Sequence, residues 1–353
     1  MTSDPLARTP QSYIDAVAAQ SLAPLWGRLK GLVPQEPRPQ AEAALWPFAA
    51  VRPFVLQAAD IVTAKEAERR VLILENPSLK GSSRILDPLF GGLQLVMPGE
   101  IAPAHRHSQS ALRFVIDGRG AFTSVGGERT PMHPGDFIVT PPWRWHDHGN
   151  DTDEPMIWLD GLDIPMVRLF SAGFEQDYET DAQPVDRPVG DSLARYGSGL
   201  LPVDHAWTEV SSPVFNYPYE KSRAALFQAA RGAAADPCHG HRMRYTNPID
   251  GGWAMPTIAT YLRLLPEGFA TMPYRSTESA VFVAVEGQGV AQIGERTFEW
   301  AAKDIFAVPA WTRFTLRSAG GSVLFTYSDR AAQDKLGFFR EQRGNEAPTF
   351  PAP

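Results

Sequence analysis

The feature that most constrains this chain is that a long stretch of it is written twice. Gly99, five residues, His105, one residue, His107, then Gly118 and Gly120 match Gly268, five residues, Tyr274, one residue, Ser276, then Gly287 and Gly289, all at an offset of 169. Asp136, Pro141, Trp143 and His146 match Asp304, Pro309, Trp311 and Phe314 at an offset of 168, one residue having been lost in a hairpin. Such a period is well beyond the roughly 20–50 residues of solenoid repeats and describes a duplicated domain. Each copy is built of short runs rich in Val, Ile, Phe and Thr; in the first, turn dipeptides at Pro98, Asp117, Gly126 and Pro134 break them. That is the pattern of antiparallel hairpins.

Four segments are expected: a helical N-terminal extension over 1–75, a first β-barrel over 76–165, a connector over 166–245, and a second barrel with a C-terminal tail over 246–353. Tyr13, Ile14 and Val17 stand at helix spacing. Thr63 and Glu66 read as a capping box opening a short helix through Glu68 and Arg69 toward VLILENP, which reads as a strand. A formal net charge of −7 leaves no basic footprint, which excludes nucleic acid as the expected partner but allows an anionic small molecule held by a few local cations. The single cysteine, Cys238, forms no internal disulfide and fits a reducing cytoplasm. With no signal-like N-terminus and no run of about 18 apolar residues, a cytoplasmic protein free of the membrane is expected.

The two copies separate scaffold from chemistry. Glycines, proline and tryptophan recur in both, whereas His105, His107 and His146 become Tyr274, Ser276 and Phe314. A barrel of this kind is evidently written without the histidines, so the scaffold does not demand them. His105 and His107 are two apart, which on a strand points both imidazoles to one face. A lone His-x-His is usually ordinary strand polarity; the third histidine, in a run that matches the other copy, favours a metal instead. Three imidazoles suit iron, copper, nickel or zinc. The other His-x-His, His239 and His241, lacks the preceding glycine and lies in the Pro- and Ala-rich run GAAADPCHGH, so no metal is expected there. His133 and His205 have no partner pattern and are expected at the surface.

PGEIAPAHRHSQSALRFVIDGRG and GDFIVTPPWRWHDHGN resemble the two motifs of the cupin superfamily, and AHRHSQSALRF more narrowly resembles the gentisate 1,2-dioxygenase family. The resemblance extends to LWPFAAVRPF, AERRVLILENP, GGLQLVMPGE, WLDGLDIP and LFTYSDRAAQDKLGFFRE, most of the chain. It implies a bicupin, two jelly-roll barrels in one chain, assembled as a homotetramer, with Fe(II) in the first barrel only and dioxygen as co-substrate. The glutamate that many cupins add after the second histidine is absent, since Ala111 and Leu112 stand there. Three neutral ligands leave three positions on one face of an octahedral ion, two for a chelating 2-hydroxybenzoate and one for oxygen. The activity implied is ring cleavage between the carboxyl- and hydroxyl-bearing carbons.

Around this site, Arg113 shares strand parity with the ligands and suits a carboxylate by charge and two-pronged hydrogen bonding. Gln94 has similar parity and is able to donate to a bound oxygen. His148, two residues after His146, is a candidate for moving a proton or ordering a ligand. By resemblance, Asp160 lies near the substrate, and Arg69 or its neighbour Arg70 supplies a further cation. Gentisate-cleaving relatives commonly carry LYAG where this chain has Leu89, Phe90, Gly91 and Gly92. Losing the tyrosine hydroxyl and one methyl group alters the pocket wall, to which Phe90 and Gly92 are assigned, leaving gentisate the first expectation and salicylate, 5-substituted salicylates or 1-hydroxy-2-naphthoate the alternative. A non-catalytic binding bicupin is the remote one.

Overall fold

The structure is a computed structural model that describes residues 6–205 and 207–349. Residues up to Arg38 form a unit of their own, carrying the expected helix at Gln11–Ala19. The rest of the chain holds four antiparallel sheets. In the first copy a six-stranded sheet runs in the order Asn216–Tyr217, Phe137–Thr140, Ala111–Asp117, Met156–Leu162, Phe90–Val96, Val71–Ile73. A five-stranded sheet faces it: Glu175–Asp177, Ile101–His107, His146–Gly149, Phe122–Val125, Glu128–Pro131. The second copy repeats this with a six-stranded sheet that includes Ala280–Glu286, Gly320–Ser328 and Ala259–Glu267, and a five-stranded one that includes Tyr274–Ser276 and Phe314–Arg317. The fold is mostly β, with the antiparallel sheets of two barrels, as the duplication requires.

Period-two alternation decides what each strand does with its two faces. Leu93, Leu95, Leu112, Phe114, Ile157 and Leu159 of the first copy meet Leu262, Val281, Val283, Val323, Phe325 and Tyr327 of the second in one continuous core. Phe114 stacks on Phe325 with centroids 4.1 Å apart. The residues between them turn inward, so Val96, Val115, Met156 and Trp158 fill the first barrel and Phe282, Ala284 and Leu324 the second. Each large side chain so buried contributes about 1.5–3 kcal/mol. Tyr327 reaches across, its hydroxyl donating to the carbonyl of Phe90 at 3.1 Å. It does so between two glycines: a Cβ on Gly91 would stand 2.8 Å from its hydroxyl, and one on Gly161 3.0 Å from its ring.

Two local expectations change. The Thr63 capping-box bonds form, with Glu66 N–H donating to Thr63 Oγ1 at 3.1 Å and Thr63 N–H to Glu66 Oε2 at 3.0 Å. They close a single turn and no helix follows, because Glu68 adopts a left-handed φ of +54° that turns the chain toward Val71. The connector is also more than a linker. Its Glu175–Asp177 strand pairs with Ile101–His107, setting Asp177 opposite His105.

The duplication extends to a pair of buried aspartates that the sequence reading did not single out. Asp163 accepts from Ser110 N–H at 3.0 Å, and Asp329 accepts from Ser279 N–H at 2.8 Å. Burial pushes Asp163 up to about 6 and Asp329 up to about 7. A raised carboxyl favours the protonated folded state, so its stabilisation is complete below the ordinary aspartate value and is lost as the pH rises through the folded one. Against Asp329→Asn, wild-type melting temperature should therefore fall by several degrees between about pH 4 and pH 8. A difference that stays constant across thermal melts in that range would refute the assignment.

Candidate active site

His105 and His146 are register partners on adjacent antiparallel strands, and His107 follows two residues on along the Ile101–His107 strand. Their ring centroids lie 5.2, 4.1 and 4.9 Å apart, and one nitrogen from each falls within 4.8 Å of the other two. The tautomers follow from the partners. His107 Nδ1 donates to the Gln109 carbonyl at 3.0 Å and His146 Nδ1 to the Arg144 carbonyl at 2.9 Å. Each Nε2 therefore carries its lone pair, and that of His146 is buried without a hydrogen bond. Arg69 Nη2 lies 2.9 Å from His105 Nε2, and since a guanidinium only donates, this nitrogen is also a lone-pair acceptor. Burial first, with Arg113's charge adding, pushes His107 down to about 4. Burial likewise holds His146 well below the ordinary imidazole value. Three neutral imidazoles presenting lone pairs to one point form the donor set that a divalent transition metal requires. Among the described residues, no other group of three or more His, Cys, Asp or Glu side chains is gathered in this way.

The cluster opens into a cavity of about 610 Å³ whose lining includes Arg69, Phe90, Gln94, Arg113 and Asp160. Gln94 is buried, and its Nε2 has no hydrogen-bond partner. Arg113 donates to Thr140 Oγ1, and its Nε stands 3.6 Å from Asp160 Oδ1. Burial raises Asp160 to about 6 while the guanidinium of Arg113 opposes the rise, and Trp158 Nε1 donates to the same oxygen at 2.9 Å. Of the two N-terminal arginines, Arg69 reaches the cavity and Arg70 does not: Arg70 is committed to Glu100, with Nη1 to Oε1 at 2.8 Å. Burial, with Arg113 next, lowers Arg69 to about 10, which leaves it cationic at neutral pH.

Two candidates sit elsewhere. His148 is 0 % exposed but is not brought to the cavity wall; its Nδ1 pairs with Thr123 Oγ1 at 2.8 Å and its ring lies 5.4 Å from Trp158, deeper in the barrel. Strand parity points it inward, and its ring centroid lies 5.8 Å from that of His146. Gly92 acts through what it lacks, since a Cβ there would stand 2.4 Å from Val71 Cγ1 and 3.3 Å from the Phe90 ring. Its bareness lets those two side chains shape the wall.

Sequence reasoning missed Arg168, Phe174 and Glu175, which also line the cavity. They come from the segment read as connector, where a six-residue helix, Ile164–Leu169, and a three-residue edge strand leave no periodic signal. His239 and His241 gather no metal-ligand group among the described residues; His239 packs its ring 4.4 Å from Tyr274. His133 and His205 lie toward the surface as expected.

Comparison with known proteins agrees with this geometry. The cupin domain family matches residues 92–162, the stretch holding all three histidines. The chain is 55% identical to gentisate 1,2 dioxygenase 1 of Aquipseudomonas alcaligenes, over 94% of this chain and 96% of that one. It is 34% identical to 5-aminosalicylate 1,2-dioxygenase of a Comamonas species, over 94% and 91% respectively. Among solved structures, salicylate 1,2-dioxygenase of Pseudoaminobacter salicylatoxidans in adducts with gentisate aligns at a TM-score of 0.90 and 32% identity, covering 98% of this chain and 96% of that one. Likeness of this degree, sustained along nearly the whole length of each protein, makes this chain a member of the gentisate 1,2-dioxygenase family of cupin dioxygenases.

Proposed function

We propose that this dioxygenase uses Fe(II), one ion per chain, to open the ring of a 2-hydroxybenzoate between its carboxyl- and hydroxyl-bearing carbons, with gentisate as substrate and maleylpyruvate as product. The observation that carries this reading is the meeting of three lone-pair-bearing imidazoles and two arginines, Arg69 and Arg113, in one 610 Å³ cavity. The ligands are neutral, so the negative charge comes from the substrate, and the arginines are placed to receive it. Bound iron supplies a path for electrons from the chelated ring to dioxygen. The chain's own residues do the rest. Arg113, held by Asp160 and Thr140, binds the substrate carboxylate. Arg69 exchanges its contact with His105 Nε2 for the same carboxylate, because that lone pair serves a guanidinium or a metal but not both. Gln94 Nε2 donates to a substrate oxygen. Phe90, Val71, Ile73, Leu162 and Ile164 cover the ring and exclude water. Asp160 is a positioning residue for Arg113, and His148 orders the barrel behind His146.

A second reading is favoured by one observation: Phe90 stands where gentisate-cleaving relatives commonly carry tyrosine. The wall then lacks a hydroxyl, and salicylate, a 5-substituted salicylate or 1-hydroxy-2-naphthoate becomes the alternative substrate. Relatives named for 5-aminosalicylate and 1-hydroxy-2-naphthoate share 34% and 32% identity with this chain. We further propose a cytoplasmic homotetramer divided into the four segments set out from the sequence; no helix among the described residues is long and apolar enough to cross a membrane. Anaerobic loading with Fe(II), followed by oxygen uptake and ultraviolet spectra on gentisate, salicylate, 5-aminosalicylate and 1-hydroxy-2-naphthoate, tests the assignment. Gentisate should give the highest kcat/KM; a higher value for another member of the panel selects the second reading, and iron-loaded protein that consumes none of them overturns both.

A further inference from the structure

The second barrel has kept a chamber where the first has its active site, and that chamber is charged. At the shared offset Gln94 becomes Arg263 and Arg113 becomes Phe282, so the inward-facing cation has moved to a different strand. Arg263 is 2 % exposed. Its guanidinium carbon lies 5.3 Å from the Phe282 ring centre, while its Nε and Nη1 are buried with no hydrogen-bond partner. Among the described residues it has no ion pair. A guanidinium removed from water and left unpaired is a large energetic cost to the fold.

The same chamber is lined by Arg242, Glu278 and Thr326. Among the described residues, Glu278 is the one carboxylate in the lining, and its oxygens are occupied by Ser276 Oγ at 3.3 Å and Ser328 Oγ at 2.8 Å. Two guanidiniums against one carboxylate leave an excess of one positive charge. Thr326 Oγ1 is a further buried donor without a partner, on the strand beside the one bearing Arg263. The free space is about 10 Å³, room for one body near the size of a water molecule and none for an aromatic acid.

We infer that the second barrel holds one small monoanion of the halide class, bound by the Arg263 guanidinium and the Thr326 hydroxyl. The duplicated copy has thus exchanged a metal cation and its aromatic chelate for a single structural anion. Burial, with Arg242's charge adding, draws Arg263 down to about 9, a cost that an anion in contact with it relieves.

The test uses the full iron-loaded chain, exchanged into a buffer whose only anion is gluconate, which is too large for the chamber. Bromide titrated at constant ionic strength should raise the melting temperature by about 3 °C and then saturate. Arg263→Met should remove the saturable part, and Thr326→Val should shift its midpoint to at least ~5-fold higher bromide. Crystals grown in bromide should show an anomalous peak beside Arg263. Identical titrations for wild type and Thr326→Val, or a bromide crystal without that peak, overturn the inference, and both measurements remain decisive if Arg263→Met does not fold.

Discussion

Replacing His146 with alanine is expected to reduce bound iron from about one ion per chain to under about 0.1 and to lower turnover at least ~1000-fold. The imidazole contributes a lone pair that two remaining histidines cannot replace, and its loss leaves the Ile101–His107 strand without the ligand opposite His105. His107→Ala should behave alike. His239→Ala offers the contrast: it removes a buried imidazole from the other His-x-His and should leave the iron content intact. Elemental analysis of the purified protein and initial rates of oxygen uptake separate retention from chemistry. A full iron complement in His146→Ala would remove that residue from the ligand set.

Replacing Arg113 with methionine should lower kcat/KM about 100- to 1000-fold, a loss of about 3–4 kcal/mol of transition-state binding. Two effects are mixed in that variant. The substrate carboxylate loses its guanidinium, and Asp160, already raised to about 6 by burial, loses the cation that holds it down. Adding Asp160→Asn separates them. The double variant should regain most of the melting temperature lost by Arg113→Met, because no unpaired buried charge remains, while kcat/KM stays low. Recovery of activity along with stability would mean that Arg113 serves the scaffold and not the substrate.

Much of this was legible in the sequence because the chain carries its own comparison. Two copies that share Gly99, Gly118, Asp136, Pro141 and Trp143 with their counterparts but not three histidines mark the histidines as chemistry. Strand parity then placed Arg113 and Gln94 at the cavity, since alternation on a strand is a strict rule. Parity gives a face and not a place along the cavity wall, which is why His148 passed the same test without appearing among the side chains that line the cavity. The cavity wall from Ile164 to Glu175 was hidden for another reason. Its helix is six residues long and its strand three, and the exposed strand is held by tertiary pairing with Ile101–His107, so propensity had nothing to register. The capping box at Thr63 failed as a helix signal because its hydrogen bonds need only one turn, and the chain leaves it at Glu68.

The insertion of Tyr327 between Gly91 and Gly161 bears on how such a chain is able to evolve. A redundant duplicate is ordinarily free to erode once its chemistry is gone. Here the silent half supplies a clamp on the backbone of Phe90, and its removal would strand a wide greasy plate, Phe114 included, in water. Deletion is closed as a route, and drift in the second half is confined to its own interior, where the three histidines have already been traded for Tyr274, Ser276 and Phe314.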